Sequence, residues 1–155
     1  MNKTNAMRQL DKAKISYQTL NYEIDAKDFS GGKVANLLNL DPLETYKTLA
    51  LFHEHDLYIM VIPIAKELDL KKAASEIGVK KLEMVHVKDL LKKVGYERGS
   101  VSPVGIIAKH KTYFDIEVNN HQQIEISGGK MGIGLVVDKD ILLKYLNAEV
   151  KDLCQ

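Results

Sequence analysis

Residues 95–105 have the composition of a loop that could hold a reacting group. The segment contains three glycines and a proline in eleven residues, which excludes a regular helix or a central strand. Glycine permits a positive φ angle and close approach to the backbone, so Gly99 and Pro103 can bracket a tight loop with several amide N–H groups directed at one point. Such a loop can hold a carbonyl oxygen or an oxyanion. The same pattern is also typical of an ordinary connection.

Two other motifs look like a metal site and a nucleotide-binding loop, but their residues do not support either function. His53-x-His55 has the spacing of a metal pair, but it lacks a third placed ligand and falls at a predicted hairpin tip, so we interpret it as a solvated turn. The glycine-rich segment 128–134 is not a P-loop, because Lys130 is followed by Met131 instead of Ser or Thr. No metal site and no cofactor is predicted.

The sequence offers no recognisable activated nucleophile. Cys154 is the single cysteine, and its position near the end of the sequence predicts a frayed thiol. No histidine can be assigned as a partner of Ser102. Lys47 lies in a strand-like run, where a lysine usually points to solvent.

Length and composition predict one globular domain over residues 1–155. The chain is 45% hydrophobic and 28% charged, and it has no apolar run near the roughly 20 residues that span a bilayer. Its first residues lack an apolar signal core, so we expect a cytoplasmic protein without a membrane partner. A net charge of +1 argues neither for nor against nucleic-acid binding.

The order of predicted elements indicates an α+β fold with a mixed, mostly antiparallel, barrel-like sheet and flanking helices. Predicted helices begin at or near Thr4, Ser30, Asp41, Asp69, Val87 and Asp138. Predicted strands cover residues 17–23, 46–52, 57–62, 81–85, 104–108, 113–118, 123–126 and 135–137. The last helix is expected to bury Ile141, Leu142 and Tyr145.

Several motifs in fixed order resemble the YbaK/EbsC family. They are Tyr46-Lys47-Thr48-Leu49, Leu68-Asp69-Leu70-Lys71-Lys72, the 95–105 loop and Ser127-Gly128-Gly129-Lys130-Met131-Gly132. The resemblance runs from about Thr4 to about Tyr145 and is closest to the Cys-tRNA(Pro) deacylases. Members are free-standing aminoacyl-tRNA deacylases related to the editing insertion domain of bacterial prolyl-tRNA synthetases.

The resemblance implies a site and a mechanism. The catalytic residues would be Lys47 and the loop Gly99-Ser100-Val101-Ser102-Pro103, whose amides would hold the carbonyl; the substrate-binding residues would be Tyr22, Ser127, Gly128 and Gly129. The substrate is mischarged tRNA(Pro), and prolyl-tRNA synthetase is a candidate partner. In cysteine-specific members the substrate's own thiol is thought to attack its carbonyl, which suits a chain without a nucleophile of its own.

Two departures leave the amino-acid specificity open. Some cysteine-specific relatives carry an acid seven residues after the serine, where this chain has Gly134, and Gly99-Ser100 replaces a common Gly-Gly. The alternatives are an Ala-tRNA(Pro) deacylase, or a non-catalytic tRNA-binding or regulatory protein of the same fold.

Overall fold

The computed structural model describes residues 2–21 and 41–155. The helices are α1 (Asn5–Lys12), α2 (Leu70–Ile77), α3 (Leu90–Val94) and α4 (Lys139–Leu146), with 3₁₀ turns at Val87–Asp89 and Ile116–Asn120. The strands are β1 (Gln18–Asn21), β2 (Tyr46–His53), β3 (Asp56–Pro63), β4 (Glu83–Met84), β5 (His110–Asp115), β6 (Gln123–Ser127), β7 (Ile133–Asp138) and β8 (Glu149–Lys151). Within these ranges no helix combines the length and the apolar character that a membrane span needs.

The strands form two sheets that meet at one point. The first sheet is antiparallel with the order β1-β7-β6, and the second is mixed with the order β4-β2-β3-β5-β8. A parallel bridge between Thr45 and Glu125 connects them, and the Glu125 amide donates to the Glu44 carbonyl at 2.9 Å. The predicted α+β class with helices flanking a mixed sheet is confirmed. The described strands make two linked sheets and not one closed barrel.

Apolar side chains pack on both faces of the mixed sheet. On one face α1 and the antiparallel sheet close a cluster that includes Met7, Leu10, Ile126, Leu135 and Phe114. On the other face α2 covers a second cluster that includes Leu51, Ile62, Ala73 and Leu153. Since side chains alternate along a strand, β2 contributes Tyr46 and Ala50 to the first cluster and Leu51 to the second. Lys47 therefore leaves β2 on the side of the second cluster.

The predicted helix starts at Thr4, Asp69 and Asp138 are confirmed. Each side-chain oxygen accepts a hydrogen bond from an amide three residues later: Thr4 from Met7 at 3.2 Å, Asp69 from Lys72 at 3.0 Å and Asp138 from Ile141 at 3.0 Å. These bonds satisfy amides that have no partner inside the helix. Gly78 ends α2 with φ +79°, a conformation that favours glycine.

Two predicted elements are wrong and a third, the strand predicted over residues 113–118, ends early, each for a local reason. Residues 41–44 form a turn in which the Asp41 carboxylate accepts from the Leu43 amide at 2.8 Å, and no helix follows. Residues 104–108 are irregular, because Gly105 takes φ +89° and the Val104 carbonyl accepts from the Tyr96 hydroxyl instead of a strand. β5 ends at Asp115, whose carboxylate accepts from the Glu117 amide at 3.1 Å and starts a 3₁₀ turn.

The burial expected in the last helix is only partly observed, and one predicted helix is not tested. Ile141 is 50% exposed and Tyr145 is 39% exposed, so of the three residues predicted to be buried in the last helix only Leu142 is fully covered. The helix predicted from Ser30 lies outside the described residues.

The C-terminal residues are ordered parts of the fold, contrary to the predicted fraying. The Leu153 amide donates to the buried Asp115 carboxylate at 3.0 Å, and the Leu153 carbonyl accepts from the Asp69 amide at 2.9 Å. Lys72 Nζ donates to the Cys154 carbonyl at 2.9 Å. Cys154 is consequently buried in the second cluster.

Candidate active site

The 95–105 segment is an irregular loop, as its composition predicts. Gly99 adopts φ +87°, which an L-residue with a side chain rarely does. The Ser100 amide donates to the Glu97 carbonyl at 3.0 Å, and the Ser100 hydroxyl donates to the same oxygen at 2.8 Å. The turn at Gly99 therefore closes on itself and fixes the direction of the residues that follow.

Part of the loop's hydrogen-bonding capacity is used internally. The Ser102 side chain is fully buried, and its hydroxyl accepts from the Val104 amide at 3.2 Å. Pro103 has no amide N–H. Three amides, those of Gly99, Val101 and Ser102, donate no hydrogen bond to another described residue. Of these, the amides of Gly99 and Val101 lie in residues that solvent reaches and can receive a ligand oxygen, whereas Ser102 is fully buried and the Ser100 amide is occupied.

A second loop, the Ser127-Gly128-Gly129 turn after β6, locks onto the first. Ser127 Oγ donates to the Ser100 carbonyl at 3.0 Å and accepts from the Gly129 amide at 3.1 Å. The Gly128 carbonyl accepts from Thr4 Oγ1 at 2.6 Å, so the N-cap of α1 also holds this turn. The structure thus brings Ser127 and its glycines together with the Gly99–Pro103 loop, and their role in substrate binding stays a prediction.

Glycine is required in the second loop because neighbouring groups fill the space of a side chain. A Cβ on Gly128 would lie 2.6 Å from Ile133 Cγ2 and 3.1 Å from the Ile133 carbonyl oxygen. Gly129 has φ +91°, and its Cβ would lie 3.1 Å from the Tyr96 ring. Tyr96 in turn donates to the Val104 carbonyl, and burial raises its pKa to about 12. Tyr96 is therefore a neutral hydrogen-bond donor within the 95–105 loop, and its ring lies against Gly129 of the second loop.

Lys47 approaches this region from β2. In the parallel Thr45–Glu125 bridge, the paired side chains lie on one side of the sheet. Lys47 and Ser127 each follow a bridge partner by two residues, so they leave their strands on that same side. Lys47 is half-buried and forms no ion pair with a described residue. Its ammonium is therefore a positive charge that a ligand can use.

Glu125 is a polar side chain of this region that the sequence did not single out. It is 7% exposed and lies on the same face of β6 as Ser127, because the two residues are two positions apart. Burial raises the pKa of its carboxyl to about 7. An acid in an alternating strand is ordinarily solvated, so the pattern Gln-Ile-Glu-Ile-Ser gave no reason to expect a buried one. The available signal was Gly134, the small residue diagonally across the antiparallel pair.

Other candidate groups stay outside the region. Cys154 is buried, and burial raises its thiol pKa to about 12, with a further rise from Asp115 and a partial opposing effect from Lys47. A thiol in that state is a poor nucleophile. His55 is exposed in the hairpin turn, as predicted, whereas His53 is the last residue of β2 and is partly buried. Within the described ranges no group of His, Cys, Asp and Glu side chains could hold a metal. Tyr22 lies outside the described residues.

Comparisons with known proteins agree with this arrangement. A sequence model of the aminoacyl-tRNA editing domain matches residues 29–145. An Enterococcus faecalis protein named "Putative Cys-tRNA(Pro)/Cys-tRNA(Cys) deacylase EbsC" is 34% identical over 152 residues, which cover 97% of this chain and 93% of that protein.

Two solved structures share the fold. One, described as "a putative trans-editing enzyme for prolyl tRNA synthetase", superposes with a TM-score of 0.82 at 20% identity over 99% of both chains. The other, a hypothetical protein, superposes with a TM-score of 0.87 at 19% identity over 98% of this chain and all of that one. The family model and the 34% sequence identity to the Enterococcus faecalis protein confirm the resemblance found in the sequence: this chain belongs to the aminoacyl-tRNA editing domain family.

Proposed function

We propose that this protein is a free-standing deacylase that hydrolyses mischarged aminoacyl-tRNA, with Cys-tRNA(Pro) as its substrate. The observation that carries the proposal is the hydrogen bond between Ser127 Oγ and the Ser100 carbonyl. It joins a loop with unoccupied amides to a glycine turn in a chain of the editing family. The name of the Enterococcus faecalis relative supports the choice of substrate.

The proposed role of the loop is to hold the ester carbonyl. The amides of Gly99 and Val101 would donate hydrogen bonds to the carbonyl oxygen as it gains negative charge, and preorganised donors of this kind lower the barrier of acyl transfer. Lys47 would add a positive charge on the same side. Ser127, Gly128 and Gly129 would contact the aminoacyl group or the terminal adenosine. Tyr22 keeps its proposed place in the pocket.

The attacking group would come from the substrate. The cysteine Sγ would bond to its own carbonyl carbon, the bond from that carbon to the ribose 3′-oxygen would break, and the thiol proton would end on the 3′-oxygen. The product is a strained four-membered thiolactone, so the protein must place sulfur and carbonyl closely and stabilise the oxyanion. The high pKa of the Cys154 thiol, about 12, leaves no competing cysteine nucleophile in the described part of the chain.

The mischarged tRNA would be the macromolecular partner, and the cytoplasm would be the site of action because charged tRNA is used there. We further propose that prolyl-tRNA synthetase assists tRNA selection, since a net charge of +1 provides little general attraction for a polyanion.

The test is the release of amino acid from tRNA(Pro) charged with Cys, Ala, Ser or Pro, each with and without the synthetase. Cys-tRNA(Pro) should be hydrolysed fastest, Ser-tRNA(Pro) severely more slowly, and Pro-tRNA(Pro) should persist. Equal rates for Cys and Ser would exclude attack by the substrate thiol. Fastest release of Ala would make the protein an alanine deacylase, and no release from any tRNA would make it a binding protein.

A further inference from the structure

The Glu125 carboxyl occupies space that a neighbouring glycine leaves open. A Cβ on Gly134 would lie 1.9 Å from Glu125 Oε1 and 2.9 Å from its carboxyl carbon. Any side chain at position 134 would therefore displace the carboxyl. Gly134 does not have a positive φ angle, so backbone conformation does not require glycine there. The glycine is instead explained by the room it gives to Glu125.

This carboxyl has no partner among the described residues. It makes no hydrogen bond and no ion pair with any of them, although more than nine-tenths of the residue is shielded from solvent. Lys47 leaves β2 on the same side and still does not pair with it. A buried carboxylate without a partner is unfavourable, and such groups are characteristic of sites that bind a ligand.

The position of Glu125 connects it with the candidate active site. It lies two residues before Ser127 on the same face of β6, and Ser127 holds the Ser100 carbonyl of the Gly99–Pro103 loop. Two residues along a strand span about 7 Å. An aminoacyl ester whose carbonyl is held at the loop can therefore place its α-carbon substituents over Glu125.

We propose that the Glu125 carboxyl binds the α-ammonium group of the aminoacyl ester, an inference that rests on the proposed deacylase function. The α-ammonium is the cation that every aminoacyl-tRNA carries, and it is close to the ester carbonyl. A carboxylate that pairs with no cation among the described residues is the complementary group, and a charge-assisted hydrogen bond between the two fixes the ester's orientation. The binding also implies selectivity, because an acylated amine, as in peptidyl-tRNA, cannot supply the charge.

The experiment uses two non-hydrolysable probes that differ by the amine alone. One is 3′-deoxyadenosine with cysteine attached through a 3′-amide, and the other replaces cysteine by 3-sulfanylpropanoyl. Their affinities are measured for the wild type, for Glu125→Gln and for Glu149→Gln, a matched change at an exposed glutamate of β8. The wild type and Glu149→Gln should bind the probe with the amine about tenfold or more tightly. Glu125→Gln should bind the two probes within about twofold, since the amide is uncharged.

A transplanted acid provides a second test. Glu125→Ala should lose the preference for the amine, and the double variant Glu125→Ala with Gly134→Asp should regain part of it, because the new carboxyl enters the same space. Recovery of the preference distinguishes a binding role from a merely structural one.

The outcomes separate this inference from the proposed function. An amine preference that persists in Glu125→Gln would overturn the inference, as would failure of the wild type to bind either probe. If the wild type shows the preference and releases no amino acid from charged tRNA, the deacylase function fails while the role of Glu125 stands. If the wild type deacylates Cys-tRNA(Pro) without distinguishing the probes, the function stands and the inference fails.

Discussion

Replacing Glu125 by glutamine should make the protein more stable at alkaline pH while it weakens substrate binding. Burial raises the pKa of the carboxyl from 4.5 to about 7 in the folded state. The folded protein therefore binds this proton more tightly than the unfolded chain does. The contribution of protonated Glu125 to the free energy of unfolding is fully present below pH 4.5 and is lost as the pH rises through about 7.

The magnitude follows from the ratio of the two proton affinities. Each tenfold difference in proton affinity between the folded and the unfolded state is worth about 1.4 kcal/mol. Ionised Glu125 therefore lowers the free energy of unfolding by about 3 kcal/mol. Most of that loss develops between pH 5 and pH 8. Glutamine has nearly the same shape and does not titrate, so the variant escapes the loss.

The assay is urea unfolding followed by circular dichroism at pH 5, 6, 7 and 8. The free energy of unfolding of Glu125→Gln relative to the wild type should rise by about 2 to 3 kcal/mol from pH 5 to pH 8. Glu149→Gln is the control and should follow the wild type, because its glutamate is exposed. If the wild-type and Glu125→Gln curves stay parallel over this range, the carboxyl is not held in an apolar environment and the reasoning is refuted.

Three further substitutions test the proposed site. Lys47→Ala should lose most deacylase activity and stay folded, because it removes an ammonium that forms no ion pair with a described residue. Lys111→Ala, on an exposed strand position, is the control, and equal rates for both would leave Lys47 without a role. Gly99→Val should also abolish turnover, since a β-branched residue does not tolerate φ +87°, and near-normal turnover in a folded variant would make the loop a simple connection. Cys154→Ser should keep the deacylation rate within about twofold and lower the melting temperature, because a hydroxyl replaces a buried thiol. A large fall in its rate would indicate a protein nucleophile.

Local signals predicted several helix starts and the irregular 95–105 loop well. Thr4, Asp69 and Asp138 were identifiable as caps because a short polar side chain before an apolar-periodic segment has few other uses. The 95–105 loop was identifiable because glycine and proline exclude the alternatives. Both kinds of signal depend on a few consecutive residues, so no tertiary information was needed.

The parts that the sequence did not predict depend on contacts between distant residues. From the sequence, Gly134 is a departure from an acidic position of some relatives that leaves the amino-acid specificity open, whereas the structure places the Glu125 carboxyl in the space beside that glycine. The pairing of β6 with β7 creates this proximity, and neither strand reveals it alone. Asp41 was mistaken for a helix cap because the same carboxylate-to-amide bond also stabilises an isolated turn.

The burial of Cys154 was missed for a similar reason. A polar terminal segment ordinarily frays, and the bonds that it forms with Asp69, Lys72 and Asp115 help to keep it in place. Those partners are separated from it by 38 residues or more, as the Leu153–Asp115 bond shows.

These terminal bonds also constrain how the protein can fold during its synthesis. Leu153 and Cys154 complete the cluster beneath α2, and they are translated long after the helix itself. Until they leave the ribosome, the apolar side of α2 and the buried Asp115 carboxylate lack their final partners. The antiparallel sheet and α1 depend on residues up to 138 and can assemble earlier. A nascent chain stalled shortly before residue 150 should therefore expose an apolar surface around Leu51 and Ile62. Chaperones would bind to this surface, or proteases would cut the chain near it.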